Sequence, residues 1–167
     1  MGTPSSSRGT RRLRASFILT TCSLAGPHRL SKQWSDLSFV PGVTEARARE
    51  VNLKAIDFAN QAIQTDPASS AGYLAACISK GRLALVSDNK QKVRLGREAH
   101  QDAVKALQLD PNSDLAHHLM GRWMFEMANI NWVVRTLVRI AWGTELPSGS
   151  YPEALQNFEA AMKVRCG

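Results

Sequence analysis

The apolar and small positions of this chain recur in a fixed rhythm. The segments KAIDFANQAIQTDPAS (54–69) and EAHQDAVKALQLDPNS (98–113) align without gaps. In the first, Ala55, Ala59 and Ala62 precede Pro67; in the second, Ala99, Ala103 and Ala106 precede Pro111, with steps of +4, +3 and +5 in both. Residues three and four apart share a helix face. Each segment therefore predicts a helix whose small-residue face admits a close neighbour. Each helix should stop at Asp-Pro, because proline lacks an N–H and disfavours helical geometry in the residue before it. A third copy, EALQNFEAAMKVRCG, carries Ala154, Phe158 and Ala161 at the +4 and +3 steps, with Cys166 in the proline slot.

A second helical pattern follows each Asp-Pro. One, over 70–85, places Tyr73, Ala76 and Cys77 on one face; the other, over 114–127, places His117, Met120, Gly121 and Met124 on one face. A large, a large and a small residue on one helix, then the alanine rhythm on the next, resembles the tetratricopeptide repeat. The predicted fold class is all-α: an α-α superhelix of about three such units, with an inserted amphipathic helix.

Insertions break the regular spacing. A standard repeat has about 34 residues, but Pro67 and Pro111 are 44 apart, and Ala99 and Ala154 are 55 apart. The extra residues fall at 86–97, read as a polar loop bearing Lys90, Lys92, Arg94 and Arg97 after Arg82, and at 129–150. The second insert predicts an amphipathic helix over 131–142 and a Pro/Gly/Ser turn. Ser150 and Glu153 then form a capping-box pair, with Pro152 in the first helical turn.

Composition changes the picture mainly at the start of the chain. Of 167 residues, 44% are hydrophobic and 21% charged, enough to build a core. The net charge of +7 is uneven: residues 1–35 hold six basic residues and no acid, leaving 15 basic and 14 acidic residues beyond. The repeat region is nearly neutral, which gives no case for a nucleic-acid-binding domain. Residues 1–43 read as a disordered basic leader and 44–167 as the repeat domain, truncated at its C-terminal end. The Arg- and Ser/Thr-rich, acid-free leader fits an organelle transit peptide. It also fits a leader with no address and, less well, a secretory signal. No apolar stretch is long enough to span a bilayer, and three scattered cysteines suit a reducing compartment.

The stretch LDPNSDLAHHLMGRWMFEMANINWVVRTLVRIAWGTELPSGSYPEALQNFEAAMKV (109–164) is similar to the regulator of microtubule dynamics protein family. AHHLMGRW, the Trp132-containing insert and the turn at 147–155 carry the resemblance, and residues 54–113 fit more loosely. The resemblance implies a helical scaffold associated with microtubules, spindle or cytoplasm, and for some members mitochondria. It implies no enzymatic activity and no cofactor. The alternative reading is a mitochondrial or plastid repeat adaptor without direct microtubule contact.

Candidate chemistry is sparse. His117 and His118 point about 100° apart on a helix, whereas a helical metal pair needs a spacing of three or four. His28 and His100 lie elsewhere, so no metal or catalytic site is expected, and no hydrolase, Walker or zinc-protease motif is present. His117 is instead expected to fill a core slot, with Gly121 admitting the helix that starts near Ser150. His118, Arg122 and Phe125 should share a mildly basic groove with Leu74, Ile78 and Arg82, suited to an acidic peptide. Ordinary solvated charges are the alternative. On the insert, Arg135 and Arg139 form a basic edge. It faces plain solvent, a membrane surface, or the acidic tubulin surface that the family suggests. The pattern leaves the oligomeric state open.

Overall fold

The computed structural model describes residues 26–143 and 145–166. Among them are seven helices and a short 3-10 turn. They are α1 (Pro27–Asp36), α2 (Glu45–Thr65), α3 (Ser70–Leu85), α4 (Asn89–Leu109), α5 (Asp114–Ala128), α6 (Trp132–Trp142) and α7 (Tyr151–Cys166). The 3-10 turn, Leu37–Phe39, follows α1.

Local chemistry sets the boundaries. Thr44, Asp88, Ser113 and Asn131 each accept the backbone N–H of the residue three positions on, at Arg47, Gln91, Ala116 and Val134. Each thus satisfies an orphan donor of the first helical turn. Helices α2 and α4 stop in the same way. Asp66 and Asp110 cap them, and each carboxylate accepts an N–H two residues on, from Ala68 and Asn112, at 3.1 Å in both. The proline between them supplies no donor to continue the helix. At α7, the N–H of Glu153 donates to Ser150 Oγ at 3.3 Å. That hydroxyl donates to the Glu153 carboxylate at 2.8 Å.

The helices form hairpins, α1 on α2, α3 on α4 and α5 on α7, and successive hairpins stack through α1–α3, α2–α3 and α4–α5. Contacts run between neighbours, so the molecule is an all-α helical-repeat superhelix. Small residues fill the contacts: Ala55, Ala59, Ala76, Ala106 and Ala116 are fully buried. Without bulk between them, helices approach closely. Gly121 takes this furthest: a Cβ there would meet the Phe158 ring at 2.9 Å and the Ala154 carbonyl oxygen at 3.1 Å. Pro67 and Pro111 sit exposed in the turns, and Ala161 is only half-buried.

Two expectations require correction. Residues 26–43 are not a disordered leader, since α1 is the first helix of the first hairpin. Its fully buried residues are polar. Ser31 and Ser35 are fully buried; Ser31 Oγ lies 3.2 Å from Ser79 Oγ, and Ser35 Oγ donates to Asn52 Oδ1 at 2.9 Å. An apolar-periodicity criterion passes over such a helix. The leader and transit-peptide readings of residues 1–25 lie outside the described residues. Second, 89–97 is not a loop. Capped by Asp88 and free of proline, it forms the opening turns of a 21-residue α4. The insert helix is present, with Asn131 as its N-cap and Gly143, at φ 61°, closing it in the left-handed conformation.

Candidate partner-binding surface

Arg82 is withdrawn from the predicted basic groove. Helix α1 lies on α3 and takes Arg82, whose guanidinium donates to Ser35 Oγ at 2.9 Å and Asp36 Oδ1 at 2.8 Å and stacks over Phe39. Burial pushes the Asp36 carboxyl up, but hydrogen bonds from Lys32 and Arg82 outweigh it and hold it below its ordinary value. Leu74 and Ile78 are half-buried on the same helix. On α5, His118 faces the Phe158 ring and Phe125 meets Tyr151 edge-on, both at 5.7 Å, so these side chains serve the α5–α7 contact. His118, Phe125 and Arg122 are all exposed, and Arg122 is paired with Glu126 at 2.9 Å. The expectation treated α3 and α5 as one open face, whereas α1 covers part of α3, and on α5 two exposed side chains lie against rings of α7.

His117 also departs from its predicted core slot. Ala116, Met120 and Gly121 are the buried residues of α5, so Met120 and Gly121 keep the predicted face and Ala116 takes the place of His117. His117 is half-buried and turns back to the Pro111 carbonyl oxygen, 2.9 Å from Nε2. A carbonyl only accepts, so Nε2 carries the proton.

The predicted basic edge divides in two. Arg135 is half-buried and clasps the loops on both sides of α6. Its guanidinium donates to the carbonyls of Met127 (2.6 Å), Pro147 (2.9 Å), Leu146 (3.1 Å) and Ile130 (3.3 Å). Only arginine offers five donors in a rigid fork, so Arg135 anchors the insert and is not free for a partner. Arg139 is exposed and lies 3.8 Å from Glu145.

This anchoring holds α6 away from the body. Val138 is its one buried residue, while Trp132 and Ile140 are about three-quarters exposed and Leu137 is 59% exposed. Between α6 and the first turns of α4 lies a cavity of about 540 Å³. Asn89, Lys92, Val93, Gly96 and Arg97 of α4 line one wall. Val134, Leu137, Val138, Ala141 and Trp142 of α6 line the other. The steps are +3, +1, +3, +1 on both helices, so one face of each looks into the slot. Trp123, Met127 and Ile130 close the floor. Trp123 is stacked by His100 at 3.8 Å, and burial holds that imidazole below its ordinary pKa.

The sequence reading missed this slot because it assigned 86–97 to a loop. The usable signal was the equal spacing of polar and basic residues over 89–97 and apolar ones over 134–142. Elsewhere, burial pushes the Cys77 thiol up to about 12, leaving it un-ionised at neutral pH. Among the described residues no three His, Cys, Asp or Glu side chains converge to hold a metal. No described helix is long and apolar enough to cross a membrane.

Stacked helical hairpins define an all-α helical-repeat protein. Residues 27–167 match the family model described as regulator of microtubule dynamics protein 1-3, and the chain belongs to that family. It is 26% identical over 136 residues to regulator of microtubule dynamics protein 1 of Bos taurus, covering 81% of this chain and 43% of that protein. It is 25% identical over 139 residues to regulator of microtubule dynamics protein 3 of Mus musculus, covering 83% and 29%. The Caenorhabditis elegans protein 1 is 30% identical over 116 residues, covering 68% of this chain and 50% of its own length. The chain thus spans half or less of the length of these relatives.

Proposed function

We propose that this chain is a non-catalytic scaffold that acts in microtubule dynamics by holding protein partners on its helical surface. The match over residues 27–167 to a family whose relatives are named regulators of microtubule dynamics carries this reading. The slot and the exposed side of α6 suit it, since they offer contact surface and no convergent reactive groups. Tubulin is the first partner to test, and microtubule association in the cytoplasm is the corresponding location. Co-sedimentation of the full chain with taxol-stabilised microtubules is the test. The protein is expected to move into the pellet at low salt. An unchanged supernatant across a range of microtubule concentrations sinks direct binding.

A second reading is favoured by one observation. Residues 1–25 hold Arg8, Arg11, Arg12 and Arg14 and no acid, and they lie outside the family match. On this reading they address the repeat unit to a mitochondrion or plastid. Imaging the chain with and without them decides it: organelle signal lost on deletion supports the address, and unchanged distribution removes it.

A further inference from the structure

We infer that the slot between α4 and α6 is the docking site for one short, acidic, amphipathic helix of a protein partner. This deepens the scaffold reading and rests on it; it names the surface and the chemistry of what the surface holds.

The slot is shaped for a helix. Its walls are two helix faces with identical residue steps, so a third helix can lie between them as a neighbour of both. The cavity of about 540 Å³ far exceeds the ~30 Å³ share of one water. It has room for several side chains. The α6 wall runs from Val134 to Trp142, about 13 Å at 1.5 Å per residue, which matches about two and a half turns of a partner. Leu137 and Trp142 keep exposed apolar surface on this wall, and covering it removes that surface from water.

Charge selects the occupant. No acid lines the slot, whereas Lys92 and Arg97 stand exposed on the α4 wall. Among the described residues, these two lie within ion-pair distance of no carboxylate, although nearby Arg94 pairs with Glu98 at 3.5 Å. One basic wall and one apolar wall are complementary to a helix with apolar residues at i, i+3, i+4 and i+7 and acids along the adjacent edge. Two segments of this chain do not fit it. Residues 1–25 carry four arginines and no acid, and α6 of a second copy carries Arg135 and Arg139 and no acid. Both would meet Lys92 and Arg97 with like charge.

Gly96 provides a clean test. A Cβ there would meet nothing within 4 Å, and the residue lies inside α4. Gly96→Leu therefore starts a side chain into the slot from an unobstructed Cβ and raises helix propensity. The probe is a fluorescein-labelled peptide of about 15 residues, long enough to approach helix formation alone. It is built from Leu, Ala and Glu, with leucines at the spacing above; a twin carries Lys for every Glu. Anisotropy is read against the full chain. The acidic peptide is expected to bind about tenfold or more tighter than its twin, and to weaken as salt rises. Gly96→Leu, and separately Lys92→Glu with Arg97→Glu, are expected to weaken it about tenfold while circular dichroism stays unchanged. Equal binding of the twins, or binding indifferent to Gly96→Leu, overturns the inference. So does partition into phosphatidylcholine–phosphatidylserine vesicles with no peptide binding. The two proposals fail separately. Peptide binding without microtubule co-sedimentation sinks the microtubule reading alone; co-sedimentation without slot-dependent peptide binding sinks the slot alone.

Discussion

At the residue scale, side chains here are decided by which backbone groups need partners. Arg135 and Arg139 lie on one helix, four apart, yet one is an anchor and the other a solvent charge. Arg135→Ala would strip donors from four carbonyls flanking α6 and is expected to destabilise the insert by about 1–3 kcal/mol. Arg139→Glu is expected to stay within about 0.5 kcal/mol. Hydrogen exchange along 129–147 checks both, and equal protection in the two variants would refute the anchor. His100 gives a pH signature. Burial against Trp123 lowers its pKa, so the unfolded chain binds the proton more readily than the folded one. Stability rises with pH wherever the unfolded state holds more protons. The contribution is therefore complete above the ordinary imidazole value and is lost as pH falls through it. Wild type is expected to melt lower at about pH 5.5 than at about pH 7.5, with a smaller drop in His100→Phe. Identical drops would remove His100 as the source.

At the element scale, periodicity and punctuation were legible where helices bury small or apolar stripes. The alanine rhythm and Asp-Pro stops of α2 and α4, the Asn131 cap of α6 and the Ser150–Glu153 start of α7 are all local chemistry. Helix α1 was not legible by the same rule, because its buried residues are serines bonded to Ser79 and Asn52. A different signal was present. Shifting the start of α3, Ser70, back by the 44-residue repeat lands at Gly26, beside the Gly-Pro that opens α1. Likewise, the opening turns of α4 looked like a loop because they are polar. A helix wall facing an open slot has no apolar stripe to reveal it.

At the scale of the whole molecule, contacts run between adjacent hairpins, so damage should stay local. Gly121→Ala drives a methyl into Phe158 and the Ala154 carbonyl and is expected to cost about 1–3 kcal/mol through over-packing. Chemical denaturation checks the loss. Hydrogen exchange should place it in α5 and α7 and leave α1–α3 protected; uniform loss along the chain would contradict a nearest-neighbour superhelix.

The sequence by itself determined the helices that repeat, their stops and the family they signal. Caps, proline and i, i+4 spacing act within a few residues, and such information is written locally. Only the tertiary structure decided which charged side chains remain available. Arg82 is taken by α1 and Arg135 by two loops, while Lys92 and Arg97 face a gap opposite Trp142. Availability depends on what distant segments bring to the same point in space, and no local pattern records that.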